Sequence, residues 1–210
     1  MEEYHKIKTL FARDPDTNHK LVIKDQYSCK EFEYLKDNLW VFTEKVDGTN
    51  IRVRFDGNTI TFGGKTDNAQ IPAQLVMRLN EIFLPRLEKF KDIFTDEVCL
   101  YGEGYGAKIQ KGGGKYRPDP SFVLFDVKIG EWWLERPKVE EIADNLGLDI
   151  VPMIGTGKLS EMVDMCESGF ESKWGQFKAE GIVARPLVEL QTRGGERIIT
   201  KLKYIDFVHE

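Results

Sequence analysis

The sequence predicts an α+β fold of largely antiparallel sheets flanked by helices, on three observations. Short apolar runs of strand character are joined by tight turn signals, such as Asp56-Gly57-Asn58 and Lys128-Ile129-Gly130-Glu131. The apolar period changes from two to about 3.6 in three places: Leu75 to Phe90, Val139 to Leu146, and Leu159 to Cys166. With 41% apolar residues in 210, the chain can bury a full core.

Ile7 to Phe11 and Leu21-Val22-Ile23 form short apolar patches around the polar connection Asp14-Pro15-Asp16. Leu39 to Phe42 is a strand, and Ile51 to Phe55 alternates as a half-buried strand does. Between them lies Thr43-Glu44-Lys45-Val46-Asp47-Gly48-Thr49-Asn50, expected as a sharp turn that presents one amine, Lys45, to a cleft. An acid before that lysine, an acid two after it and an amide beyond Gly48 suit a nucleophile with supporting groups. The pair Asp47-Gly48 is equally an ordinary hairpin signal. After Asp56-Gly57-Asn58 the chain returns through Thr59 to Phe62 into Gly63-Gly64-Lys65, where Lys65 fits a phosphate contact as well as a solvated loop lysine.

The periodicity over 71–83 predicts a helix, broken or offset at Pro85 and continued to Phe90. Val98 to Tyr101 is a strand running into Gly102-Glu103-Gly104, which exposes a carboxylate at the strand end for ribose or metal contact. Lys108 to Arg117 carries Lys108, Lys111, Lys115, Arg117 and Tyr116 without an acid, as a phosphate-tracking loop or a glycine-rich connector would. Ser121 to Val127 is apolar enough for a strand covered on both faces. Period two places Phe122, Leu124 and Asp126 on one face and Val123, Phe125 and Val127 on the other, so that Phe122 is either a core residue or, if its face looks into a cleft, a ring for a purine to stack on. Trp132-Trp133-Leu134 pairs back as a hairpin strand. Pro137 opens a helix that Gly147 closes, Ile150-Val151-Pro152 is an edge strand, and a second helix runs through Leu159, Met162, Val163 and Cys166 to Gly169. Glu180 stands at the mouth of a strand to Arg185. In Ile198 to Lys203, alternation puts Lys201 and Lys203 on one face opposite Leu202, which suits either an anion between them or an edge strand blunted by charge.

A net charge of −5 argues against indiscriminate coating of nucleic acid, although the cations are unevenly placed. Cys29, Cys99 and Cys166 are odd in number and far apart, and His5, His19 and His209 lie near the termini, which argues against a disulfide framework or a zinc site. No signal peptide or membrane-spanning run is present in the sequence, so an intracellular, cytoplasmic protein is expected.

Taken in order, Lys45-Val46-Asp47-Gly48, Gly102-Glu103-Gly104, Phe122 to Asp126, Glu180-Gly181-Ile182-Val183 and Lys201-Leu202-Lys203 resemble motifs I, III, IIIa, IV and V of the covalent nucleotidyltransferases. That superfamily comprises ATP-dependent polynucleotide ligases and mRNA capping enzymes. The finer resemblance is to RNA ligases of the RNA ligase 2 and RNA-editing group, through Glu44 to Asn50 and through Gly102 to Gly106 with Ile109-Gln110-Lys111. Two positions depart from that pattern: Lys65 replaces the arginine of motif Ia, and Asp47 replaces a histidine.

The resemblance implies an ATP-grasp-like nucleotidyltransferase domain over residues 1–210, with a cleft between its sheets; because the chain ends soon after Lys203, no OB-fold or separate C-terminal domain is expected in it, as in a minimal ligase or a catalytic domain of a longer protein. It implies an ATP-dependent RNA ligase acting through lysyl-AMP on Lys45, with Glu180, Lys201 and Lys203 in the chemistry. Glu44, Asn50, Lys65, Glu103 and Phe122 would join Lys45, Lys201 and Lys203 in holding ATP, Phe122 by stacking on adenine and Glu44 near the adenine edge. Glu180, Glu103 and Asp47 would hold Mg2+ (or Mn2+), and Lys108, Lys111, Lys115 and Arg117 would contact RNA. The expected partners are RNA ends in a nicked duplex or paired strands, bound by a monomer. A compact DNA ligase, a capping guanylyltransferase and a nucleotide or RNA-end binding module are the alternatives.

Overall fold

The structure, a computed structural model, describes residues 2–207. In chain order the strands are β1 (Lys8–Thr9), β2 (Phe11–Arg13), β3 (Val22–Tyr27), β4 (Trp40–Lys45), β5 (Thr49–Phe55), β6 (Ile60–Gly63), β7 (Val98–Tyr105), β8 (Ser121–Ile129), β9 (Trp132–Trp133), β10 (Met153–Gly157), β11 (Gly181–Pro186) and β12 (Thr200–Lys203). The helices are α1 (Lys30–Leu35), α2 (Ala73–Phe83), α3 (Leu87–Ile93), α4 (Arg136–Leu146) and α5 (Leu159–Ser168). The described residues divide into two compact units, one holding Lys6–Val46 and 152–207, the other holding 2–5 and Asp47–Val151. Among the described residues no helix is long and apolar enough to cross a membrane. His209 lies outside the described residues.

The unit containing Lys45 is built on a five-stranded sheet of order β1-β12-β11-β4-β10, antiparallel except for the parallel pair β1 and β12, with a separate ribbon of β2 and β3. Strand alternation sends Trp40, Phe42, Ile182, Ala184 and Leu202 to one face, where they form a core with Leu159, Met162, Val163 and Cys166 of α5. Burial pushes the Cys166 thiol up to about 12, so it behaves as a small apolar group there. α1 escaped the sequence reading because it is short and buries only Phe32. The edge strand expected at Ile150-Val151-Pro152 lies further on, at β10, which pairs with β4; Ile150 makes only an isolated bridge to Leu124.

The other unit carries the antiparallel sheet β6-β5-β7-β8-β9. Ile51, Val53, Phe55 and Leu100 face α2, α3 and α4, whose Leu75, Leu79, Phe83, Phe90, Val139, Ala143 and Leu146 complete a second core. Pro85 is absorbed in a single 3-10 turn between α2 and α3, and Gly147 ends α4 at φ +64°.

β8 corrects two of the expectations. The register slips between Tyr101 and Gly102, so Leu124 opposes Gly102 while Asp126 opposes Tyr101, leaving Phe125 as the extra residue. Val127 therefore joins Phe122 and Leu124 in the helix-covered core, not the opposite face. Phe122 is 2% exposed and meets Phe83 edge-on at 5.1 Å between ring centroids. A Cβ on Gly102 would lie 2.2 Å from the Phe122 ring, so only a glycine admits the ring there. A ring enclosed this way offers no face to a purine, and the residue opposite Glu103 on the other side of the sheet is Val123. Phe122→Ala is accordingly expected to cost about 3–5 kcal/mol in denaturant unfolding. Native stability combined with weakened ATP binding would restore the stacking role.

Candidate active site

β4 lies between β10 and β11, and β12 lies next to β11, so the site's lysines come from strands held on both sides. Register sets Lys45 opposite Gly181 and Gly181 opposite Lys203, while Val183 opposes both Thr43 and Lys201. Lys45, Lys201 and Lys203 thus share the face that α5 does not cover. β12 is flanked by β1 and β11, which rules out a charge-blunted edge strand as the reason for its two lysines.

The anion between the lysines belongs to the protein. Glu180 accepts from Lys45 Nζ at 2.7 Å through Oε2 and pairs with Lys203 Nζ at 2.6 Å through Oε1. Its backbone is fixed as well, since the Glu180 carbonyl accepts from the Tyr204 amide at 3.0 Å. The next residue must be glycine: a Cβ on Gly181 would stand 2.1 Å from the Leu202 carbonyl oxygen. The Lys201 ammonium has no hydrogen-bond or ion-pair partner among the described residues. Burial, then the charges of Lys45 and Lys203, hold it below the usual lysine range, against the opposing pull of Glu180.

Glu44 points to the other face of β4, where its carboxylate is 1% exposed. Oε1 accepts from Ser172 Oγ at 2.5 Å and Oε2 from the Lys173 amide at 2.8 Å. Burial raises its carboxyl pKa, while those two bonds pull it down. Both oxygens are engaged on the core face, so the Glu44 carboxylate is not available to a nucleotide, and a contact of this region with an adenine edge would fall to the backbone or to neighbouring residues.

The remaining candidates belong to the other unit. The expected eight-residue turn shrinks to Val46-Asp47-Gly48, and β4 and β5 enter different sheets, so no hairpin forms. Gly48 sits so close to β7 that a Cβ would lie 2.3 Å from the Gly104 carbonyl oxygen. Asn50 and Glu103 are register partners on the face away from α2, and Glu103 lies inside β7, not at its end as expected. The buried Asn50 Oδ1 has no hydrogen-bond partner among the described residues.

The loop after β7 is ordered, with a 3-10 turn at Gly113–Lys115. It is tied to the turn after Lys45: the Asp47 amide donates to Tyr116 Oη at 3.2 Å, and Gln110 Nε2 donates to the Gly48 carbonyl at 3.1 Å. Lys108, Lys111 and Lys115 are exposed on it. Arg117 differs, because its guanidinium pairs with Asp119 at 3.0 Å and lies over the Tyr105 ring. A neutralised fork is a poor phosphate ligand, so Arg117 leaves the expected RNA-contact set. Lys65 is exposed in a loop held by Arg52, which is fully buried and donates Nε to the Gly64 carbonyl at 2.7 Å and pairs with Asp67 at 2.9 Å. Sequence reasoning missed Arg52 and Ser172, and it named Tyr116 only as an aromatic of the basic loop, without its bond to the Asp47 amide. An arginine in the alternation of β5 was a usable signal for the first; the other two act through contacts distant in sequence.

The depressed Lys201 carries a stability consequence. Folding disfavours its protonated form, so the penalty is full below the folded value and vanishes as pH rises to the unfolded 10.5. Lys201→Met is expected to raise the denaturation midpoint at about pH 7, by a few degrees at most, and to shrink the stability gained between about pH 7 and 9.5. A lowered midpoint at neutral pH would contradict the repulsion described.

A sequence model of the RNA ligase family matches residues 38–203. Among solved structures, the chain is similar to a Naegleria gruberi RNA ligase with PPi, at a TM-score of 0.70 and 16% identity, covering 97% of this chain and 56% of that one. It is also similar to an apo variant of Naegleria gruberi RNA ligase (TM-score 0.67, 18% identity, 83% of this chain and 52% of that one). A third similar structure is a variant with ATP and Mn (TM-score 0.66, 18% identity, 82% and 51%). The chain spans about half the length of these proteins, and at such identities the likeness is one of fold. The family match covers most of the sequence and contains both the Lys45 turn and the paired lysines of β12: the chain belongs to the RNA ligase family.

Proposed function

We propose that this chain is the nucleotidyl-transferring part of an ATP-dependent RNA ligase, with Lys45 as the residue that carries AMP. The observation that carries this reading is the Glu180 carboxylate, which holds Lys45 Nζ at 2.7 Å on one oxygen and Lys203 Nζ at 2.6 Å on the other. A binding module has no need of an amine held in this way, and a purely structural ion pair has no need of Lys201 beside it.

In the first step the Lys45 nitrogen, having lost a proton, attacks the α-phosphorus of ATP. A P–N bond forms, the bond from the α-phosphorus to the bridging oxygen breaks, and pyrophosphate leaves with that oxygen. Lys201 and Lys203 neutralise charge that develops on the phosphate oxygens, a stabilisation prepaid by the fold. AMP then passes to an RNA 5′-phosphate, and a 3′-hydroxyl displaces it to close the strand.

Mg2+ usually takes one or two carboxylates and keeps several waters, with phosphate oxygens filling the rest. Among the described residues no group of three or more His, Cys, Asp or Glu gathers. Glu180 would hold the ion in the Lys45 unit, and when bound it would supply positive charge at the triphosphate; Glu103 and Asp47 keep a metal-binding role only as what the resemblance implies. In the other unit, Glu103 would contact ribose, and Asn50 and Lys65 would orient a phosphate or the RNA ends. The ATP and Mn of the Naegleria structure support the choice of nucleotide and of a divalent ion.

Incubation with α-labelled ATP and Mg2+ is expected to give acid-labile label on the denatured protein, absent in Lys45→Ala and weak with GTP. Label from GTP in place of ATP would indicate a capping enzyme. Nicked duplexes with an RNA 3′-hydroxyl strand are expected to be sealed in preference to DNA ones. Replacing Lys108, Lys111 and Lys115 together by Ala is expected to leave the label intact and weaken RNA binding. The salt slope of that binding should fall by about two, at about 0.7 for each phosphate that is no longer neutralised. An unchanged slope would remove this loop from the RNA surface.

A further inference from the structure

The stretch from Ser172 to Glu180 lies outside every helix and named strand, yet it must deliver the carboxylate that faces Lys45. It closes on itself through the Ser172 amide to the Phe177 carbonyl at 2.8 Å and the Trp174 amide to Ser172 Oγ at 3.1 Å. It rejoins α5's end through the Ala179 amide to the Phe170 carbonyl at 2.9 Å. Its start is anchored to β4 by the two bonds that Glu44 accepts, from Ser172 Oγ and the Lys173 amide. Glu44 precedes Lys45 and pairs in register with Ile182, two residues after Glu180.

A carboxylate buried on a face that otherwise carries Phe42, Ile182 and Leu202 is costly unless both oxygens are occupied. An apolar residue would serve the core better, so the charge is explained by what it holds.

We propose that Glu44 is a positioning residue for nucleotidyl transfer: by clamping Ser172 and Lys173 it fixes the start of the loop whose end places Glu180 against Lys45. The proposal rests on the reading of Lys45 as the nucleotide carrier. It differs from a contact with adenine in what it predicts, because a clamp acts on the rate of the chemical step and a base contact acts on ATP affinity.

The test measures single-turnover adduct formation against ATP concentration, together with acylation of Lys45 by a neutral amine reagent followed by peptide mass mapping. Glu44→Ala is expected to lower the maximal rate about tenfold or more with the half-saturating ATP concentration changed by less than about threefold. Glu44→Gln, which keeps an acceptor oxygen, should recover a large part of that rate. Ser172→Ala removes the bond to Glu44 together with the acceptor of the Trp174 amide and should show the same split at about threefold or more; if Glu44→Ala does not fold, Glu44→Gln, which weakens the clamp and leaves the Trp174 bond in place, decides the matter by the same readouts. Lys45 should acylate several-fold faster in Glu44→Ala, because its partner Glu180 is no longer held. A weakened ATP affinity at an unchanged maximal rate would overturn the proposal, as would unchanged rates with unchanged acylation. If the unmutated protein forms no adduct, the ligase reading fails on its own, and the acylation of Lys45 still judges the clamp.

Discussion

One carboxylate shared by two ammonium groups governs the Lys45 side of this molecule. Lys45 and Lys203 come from different strands, Lys201 stands beside them, and like charges on one sheet face repel. Glu180 makes the grouping tolerable, and only in part, since Lys201 still bears the repulsion of its neighbours. The carboxylate reaches that point because Gly181 lets its strand approach β12 more closely than any side chain would allow. An arrangement that raises the energy of the empty fold is reasonable where phosphate charge is to be received, as functional sites commonly trade stability for preorganisation.

The scaffold explains why so few residues suffice. Each unit covers one face of its five-stranded sheet with helices and packs it to near-zero exposure; the other face carries the three lysines in one unit, and in the other Asn50 and Glu103 together with an aromatic cluster of Tyr4, Tyr101, Phe125 and Trp133. Alternation along β4 then assigns neighbours opposite duties: Lys45 meets Glu180, while Glu44 is buried and holds the Ser172 loop. The same logic in β7 sends Glu103 one way and Gly102 the other, where the Phe122 ring takes up the space a side chain would need.

Much of this was legible in the sequence, and the exceptions share a cause. The strand and helix periods, the stop at Pro85, the cap at Gly147 and the common face of Lys201 and Lys203 follow from local rules that the tertiary structure did not override. Asp126 and Val127 were misplaced because a single bulge at Phe125, created by pairing with β7, reverses the alternation beyond it, whereas Phe122 lies beside Leu124 as the alternation has it, on the face that the helices cover. Glu44 looked available because its proximity to Lys45 in sequence hides the fact that they point apart. Arg117 looked like a free cation because Asp119 lies just beyond the run in which no acid occurs. The contacts of Ser172 and Tyr116 were invisible for a simpler reason: they reach 128 and 69 residues along the chain.

The central claim is that the amine beside Glu180 becomes the covalent carrier of the nucleotide. Its most direct test is to incubate the unmutated protein with ATP and Mg2+, digest it under conditions that preserve P–N bonds, and locate the modification by fragmentation. The account predicts AMP on the Lys45 side chain. AMP on another lysine, including Lys201 or Lys203, or no adduct from a protein that nevertheless seals RNA, would contradict it.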